Sequence, residues 1–168
     1  TDGLILAEEG HLLEPYEGTD TVCRKKIDYQ AIEKDVLEAD RNGFRFTLHS
    51  EGDGAFREIL DIYEKCRKKD GTLLNRHGIT DLELTDPEDE RRMARLGVFG
   101  EIYAQIYMWD TYEGYVDGYR KKIGSRQSRY LNYRSLADHG VRLCGATDLP
   151  LLLPDVPESV YYGCANYG

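Results

Sequence analysis

The chain has 168 residues, the length of one ordinary domain, and 40% hydrophobic against 32% charged side chains leave enough apolar material for a core. Its 31 acids outnumber 22 basic residues, and the net charge of -9 excludes nucleic acid and an anionic membrane surface as partners, because both need a basic face. No apolar run approaches the roughly 20 residues of a membrane-spanning helix.

Two hydrophobic periods alternate along the chain. The short apolar run Gly3–Glu8 is expected as a strand and is followed by a polar loop. Residues 28–43 carry Ile32, Val36 and Leu37 at helical spacing, with Asp28 as N-cap and Gly43 as the stop. "FRFTLHS" alternates as a strand, and the segment from Gly54 returns to helical spacing through Phe56, Ile59, Leu60 and Tyr63, ending in basic residues before Gly71. "LLNRHGITDLEL" is extended again. "DPEDERRMARLG" has Asp86 as N-cap, Pro87 at the first helical position and acids in the first turn, a strong helix start. "VFGEIYAQIYMW" is the next strand. A tyrosine- and glycine-rich stretch, Met108–Gly124, is expected to form a substrate-facing loop, and "YRKKIGSRQSRY" a solvated basic face. "NYRSLADHG" then makes a helix, "VRLCGATD" a strand and "PESVYYGCANYG" a last helix.

The alternation of about five strands with helices means parallel strands joined by helical crossovers, an α/β fold. Five strands are too few to close an eight-stranded barrel, so the sheet is either open and doubly wound or the back part of a barrel. A flavodoxin-like nucleotide binder is excluded, because no phosphate-cradling glycine-rich turn follows the first strand. Cys23, Cys66, Cys144 and Cys164 form no C-x-x-C pair and read as reduced, mostly buried thiols of a cytoplasmic protein. The 13 tyrosines read as packing under loops. A chain that begins at Thr1 without a signal segment is expected to be a mature or cut piece of something longer.

Three strands end in residues able to hold a metal: His49 closes one, His77 and Asp81 lie on another, and Asp148 closes the last. Parallel α/β folds place ligands at the carboxyl ends of their strands, and imidazole and carboxylate suit Zn²⁺ and similar ions. A lone histidine after a strand is more often a hydrogen-bonded loop residue, and acids there often cap the next helix. Their recurrence on separate strands gives the metal reading its weight.

The local wording of these segments resembles the YtcJ-like (amidohydrolase family 3) branch of the amidohydrolase superfamily. "HSEGDGAF" is similar to its H-A-x-G-D-x-A segment and "GATDLP" to its G-S-D-W-P. "DGLILAEEGHLLEPYEG" resembles its D-G…A-L-L-E-P-Y, and "RHGITDLELTDPEDERRMARLGV" its R-H-R-I-E-H…P-E-D…R…L-G-V. The four segments run in order through nearly the whole chain. The resemblance implies a partial (β/α)₈ TIM barrel, roughly strands four to eight with their helices, in which residues 1–168 form the carboxyl-terminal portion of a catalytic domain. It implies hydrolysis of non-peptide C–N bonds through a metal-bound hydroxide, with His49 as the fifth-strand ligand. Asp148 is then the eighth-strand acid that binds metal and takes the proton of the attacking water.

Two departures qualify what the resemblance implies. Asp81 stands where the family has its sixth-strand histidine, and His77 falls four residues earlier, on the same face but deeper. Either Asp81 or His77 could complete the ligand set, with Asp81 preferred on position. The family's first-strand H-x-H, the lysine before D-G and the small β-sandwich lie outside this chain. Zn²⁺ is therefore expected to be held weakly and the isolated chain to be inactive, while the parent acts on a small amide-type substrate. The alternative is a non-catalytic α/β binding or assembly module derived from such a barrel. Either way, open strand edges near Leu4 and Leu143, with Phe46, Leu48, Ile79 and Leu143 bare on the concave side, lead to an expected homo-oligomer or to pairing with an amino-terminal part.

Overall fold

The computed structural model describes residues 1–103 and 112–146 together with Pro157. Helix α1 (Tyr29–Arg41) opens where Asp28 accepts a hydrogen bond from the Ala31 N–H at 3.0 Å, and it buries Val36 and Asp40. Strand β1 (Thr47–Ser50) leads into α2 (Asp53–Tyr63), whose Phe56, Ile59, Leu60 and Tyr63 are fully buried as their spacing predicts. This helix stops at Tyr63 and does not run on to Gly71. The basic residues beyond it instead enter a hairpin of β2 (Lys68–Lys69) and β3 (Thr72–Leu73), turned by Asp70 and Gly71 at φ 52° and 81°. Two successive left-handed residues are what a tight hairpin turn needs, and they break a helix.

Strand β4 (Gly78–Asp81) is followed by α3 (Pro87–Leu96), capped by Asp86 and ended by Gly97 at φ 72°. Strand β5 (Phe99–Ile102), α4 (Tyr112–Ile123), α5 (Tyr133–Asp138) and β6 (Arg142–Gly145) complete the described elements. The expected last helix, from Pro157 on, lies outside the described residues apart from that proline, which is helical.

Gly3–Glu8 is not a strand. Ile5–Ala7 form a single 3₁₀ turn closed by Glu8 at φ 61°, with Ile5 completely buried. Alternation over so few residues cannot distinguish a strand from a turn that drives one isoleucine inward.

Strands β1, β4, β5 and β6 form one wholly parallel sheet in chain order. A doubly wound sheet reverses its order at a switch point; this one does not among its described strands. Right-handed crossovers taken always in one direction put all helices on one face. Register alignment sets Leu48, Ile79, Gly100 and Leu143 side by side on that face. Leu48 and Ile79 are 8% and 0% exposed beneath the helices, while Phe46 and Leu143 pack against the same core.

The expectation that these four would lie bare on the concave side is therefore overturned. The concave face carries Thr47 and His49, Gly78 and Thr80, Phe99 and Glu101, Arg142 and Cys144, because each sits one residue out of phase with the core set. It is a mixed, largely polar face. A second core cluster, with Ile5, Leu12, Tyr16, Leu84, Tyr119, Ile123 and Tyr130, joins the amino-terminal loop to α4 and the segment after β4.

Candidate active site at the carboxyl ends of β1 and β4

His49 and Asp81 come together at the carboxyl end of the sheet, where Ser50 and Asp81 are register partners. His49 Nε2 lies 3.6 Å from Asp81 Oδ2 and 3.7 Å from Glu51 Oε1, and Nδ1 lies 3.2 Å from Asp2 Oδ1. The contact with Asp2 is one of charge, since its geometry makes no hydrogen bond. Burial alone would favour neutral imidazole. Asp2, Glu51 and Asp81 overcome it and hold the ring as a cation, with its pKa raised to about 10.

The amino-terminal loop builds this arrangement. Asp2 accepts hydrogen bonds from the backbone N–H groups of Glu51 (3.1 Å), Gly52 (2.9 Å) and His11 (3.0 Å). The His11 carbonyl in turn accepts from Gly54 and Ala55 at the start of α2. That close approach explains the glycines of "SEGDG": a Cβ on Gly52 would lie 2.0 Å from the His11 oxygen, and one on Gly54 would lie 2.8 Å from it. Asp53 fixes the same loop by accepting from the Leu13 N–H at 2.9 Å.

At the end of β4 the backbone turns sharply. Asp81 and Leu82 both sit in the left-handed region, at φ 73° and 55°. Consecutive non-glycine residues there cost about 1–3 kcal/mol each. Hydrogen bonds from the Leu82 N–H to Ser50 O (2.9 Å) and from the Tyr133 hydroxyl to Asp81 O (3.2 Å) hold them in place.

Behind His49 lies an acid that the sequence reading did not single out. Glu83 is completely enclosed, and burial followed by the negative charge of Glu51 pushes its carboxyl well above the ordinary range. The Tyr130 hydroxyl donates to Glu83 Oε2 at 2.8 Å, and the Ile5 N–H donates to Glu51 Oε2 at 2.9 Å. No local spacing signals it, because β4 ends at Asp81 and the left-handed Asp81 and Leu82 break the alternation before Glu83.

His77 is not at this site. It precedes β4 at the amino end of the sheet, fully buried and stacked on Tyr63 at 4.9 Å. Asp40, Cys66 and His77 bring donor atoms within 4.8 Å of one another, which is the spacing of a metal site. Their hydrogen bonding argues for another role. The Phe46 N–H donates to His77 Nδ1 at 3.0 Å, so the proton of the neutral ring is on Nε2, where it donates to Asp40 Oδ1 at 3.1 Å. Burial keeps the ring neutral against the pull of Asp40 and pushes the Cys66 thiol up to about 11. Asp40 also accepts from Arg67 and Asn75. Neither nitrogen of His77 keeps a lone pair for a metal, and the cluster works as a buried hydrogen-bonded knot.

Asp148 lies outside the described residues, as does the part of Met108–Gly124 before α4; the rest of that stretch, expected as a substrate-facing loop, is instead helix α4. The basic run is only partly a solvated face: Arg120 and Lys121 are exposed, whereas its other cations are engaged. Arg129 pairs with Asp53 (3.1 Å) and Asp86 (3.4 Å), Lys122 pairs with Glu8 (2.6 Å), and Arg126 donates to the Glu14 and Pro15 carbonyls. The tertiary fold brings the acidic amino-terminal loop across it. Tyr16, Tyr63, Tyr119 and Tyr130 are buried packing groups, and of the described cysteines only Cys66 is buried.

At the carboxyl end, one imidazole ringed by Asp2, Glu51 and Asp81 is a donor set suited to a hard or borderline divalent cation. Its imidazolium proton must leave before His49 can ligate. Among the described residues no helix is long and apolar enough to cross a membrane.

Two solved structures share this fold. An uncharacterized metal-dependent hydrolase from Pyrococcus furiosus superposes with a TM-score of 0.79 at 20% identity, over 99% of this chain and 33% of that one. An uncharacterized metal-dependent hydrolase from Pyrococcus horikoshii OT3 gives 0.76 at 19% identity, over 96% and 31%. Protein LONG AFTER FAR-RED 3 of Arabidopsis thaliana is 24% identical over 127 residues, 74% of this chain but 21% of that protein. The chain thus spans a third or less of each. The sequence profile described as "Amidohydrolase family" matches residues 1–164, nearly the whole length, and the chain belongs to the amidohydrolase family.

Proposed function

We propose that this chain is the carboxyl-terminal segment of a YtcJ-like, metal-dependent hydrolase barrel acting on non-peptide C–N bonds of a small, amide-type substrate in the cytoplasm. The observation that carries the reading is the meeting of His49 with Asp81 at the carboxyl end of a singly wound parallel sheet, in a chain of this family. A divalent metal, zinc by its preference for imidazole and carboxylate, supplies Lewis-acid chemistry when bound. His49 and Asp81 would hold it from β1 and β4. Asp2 faces Nδ1 as a charge partner, while Asp81 and Glu51 face Nε2. Asp148 is assigned the proton transfer, taking a proton from the attacking water and returning it to the leaving nitrogen. The test is turnover of simple N-substituted amides by the parent protein. Activity should be lost in His49→Ala and Asp148→Asn, and the isolated chain should show none.

A second reading has its own observation. The cationic ring of His49 already neutralises part of the ring of Asp2, Glu51 and Asp81, so the arrangement is stable without a metal. On that reading the chain is a binding or assembly module, completed by a second copy or by an amino-terminal part along the edges of β1 and β6. A parent protein that binds no Zn²⁺ and stays inert after Asp81→His would establish it.

A further inference from the structure

Asp81 and Leu82 are joined by one peptide group, and both of its ends are held. Its N–H donates to the Ser50 carbonyl at 2.9 Å, and its carbonyl accepts from the Tyr133 hydroxyl at 3.2 Å. The first bond ties the end of β4 to β1 one residue past His49, and the second ties it to α5. Asp81 and Leu82 stand at φ 73° and 55°, so relaxation of either toward ordinary backbone would rotate this peptide and swing the Asp81 side chain away from His49.

Helix α5 is only six residues long and needs support of its own. A buried acid on α3 provides it. Glu90, 2% exposed, accepts from Ser135 Oγ at 2.5 Å and from His139 Nδ1 at 2.7 Å, while its other oxygen accepts from the Thr85 hydroxyl at 2.6 Å. The turn before α5 grips the same loop. The Tyr130 hydroxyl donates to Glu83 Oε2 at 2.8 Å, and the Leu131 N–H donates to the Glu83 carbonyl at 2.5 Å. Alternate residues of the loop after β4 are thus each reached from the segment 130–139: Asp81 and Glu83 directly, and Thr85 through Glu90. Tyr133 is itself half-buried and packs against both core clusters, which fixes its ring independently of its hydroxyl.

We propose that Tyr133 is a positioning residue for the candidate active site: through the Asp81 carbonyl it keeps the Asp81 carboxylate turned toward His49, with α5 and Glu90 as its support. Its bearing on metal binding rests on the reading of His49 and Asp81 as ligands. Groups that hold a ligand from behind set metal affinity because they fix the ligand's orientation before the ion arrives.

Tyr133→Phe in the parent protein tests this, with Tyr63→Phe as the matched control. Tyr63 donates its hydroxyl to the Gly78 carbonyl at 2.7 Å, at the amino end of the same strand, so each variant loses one tyrosine hydroxyl bonded to a β4 carbonyl. Two quantities are read: deuterium exchange of the Leu82 and Leu84 amides, and calorimetric affinity for Zn²⁺. Tyr133→Phe should speed the exchange and weaken Zn²⁺ binding about tenfold. Ser135→Ala, which loosens α5 from Glu90 without touching Asp81, should give a smaller loss in the same direction. Tyr63→Phe should lower the melting temperature yet leave exchange and affinity at parent values. Unchanged exchange at Leu82 in Tyr133→Phe would overturn the proposal whatever the metal does. So would an affinity equal to the parent's, or an equal loss in Tyr63→Phe, since the effect would then be one of general stability. A parent protein that binds no Zn²⁺ would sink the hydrolase reading instead, and faster Leu82 exchange in Tyr133→Phe would still establish the hold on Asp81.

Discussion

Asp2 accepts the Gly52 N–H at 2.9 Å across fifty residues of sequence, and the same carboxylate faces His49 at 3.2 Å. The candidate site is therefore built jointly by the end of β1 and the amino-terminal loop. Gly52→Ala should break that joint, because its Cβ would fall 2.0 Å from a backbone oxygen that cannot swing away. A loss of about 1–3 kcal/mol in urea unfolding is expected, with faster amide exchange at His11 and Gly54. Unchanged stability would show that the loop can lift off the helix.

His49 titrates from about 10 in the folded chain against 6.5 in its absence of partners. Its folded pKa is raised, so the stabilisation it brings is fully present below pH 6.5 and is lost as pH rises through about 10. The melting temperature should fall across that window by more in the parent chain than in His49→Gln. Divalent metal must displace the same proton. Zn²⁺ affinity should accordingly rise about tenfold per pH unit between pH 7 and 9, and a flat profile by calorimetry would place the metal elsewhere.

Glu83 carries its proton well above the usual carboxyl range because it is enclosed beside Glu51. Its folded pKa lies above the unfolded one, so it opposes folding once pH exceeds the ordinary carboxyl value of 4.5. Glu83→Gln can still accept from the Tyr130 hydroxyl without the charge. It should match or exceed the parent at pH 7 and lose that advantage at pH 4. Glu83→Ala should be destabilised by about 1–3 kcal/mol, the cost of removing a buried hydrogen-bond acceptor.

Asp40 anchors Arg67, Asn75 and His77 at once. Removing one side of such a buried charged cluster costs about 3–5 kcal/mol, so Asp40→Ala should unfold at markedly lower urea. His77→Gln should cost less, since the amide can still donate to Asp40. Added Zn²⁺ should not stabilise the parent chain through this cluster; a Zn²⁺-dependent gain in melting temperature that Asp40→Ala and His77→Gln both abolish would mean that the cluster is a metal site after all.

Local chemistry written in consecutive residues was legible in the sequence. Asp28 and Asp86 cap the helices they were expected to cap, the α2 core residues follow helical spacing, and the strand ends that carry His49 and Asp81 are where alternation put them. Family wording reached the amidohydrolase assignment from four short segments in order. Tertiary structure decided what depends on residues far apart. Strand order separated a singly wound sheet from a doubly wound one, because crossover direction leaves no local trace. One residue of phase in the register turned Leu48 and Ile79 toward the helices and a polar set toward the concave side. His77 precedes Asp81 by only four positions, yet the length of β4 between them carries them to opposite ends of the sheet, one into a hydrogen-bonded knot and the other beside His49. Asp2 and Glu83 owe their place at the site to contacts across fifty and forty-seven residues, with Gly52 and Tyr130 respectively. Such contacts are chosen by the packing of the whole chain, since no nearby residue needs them to form its own helix or strand.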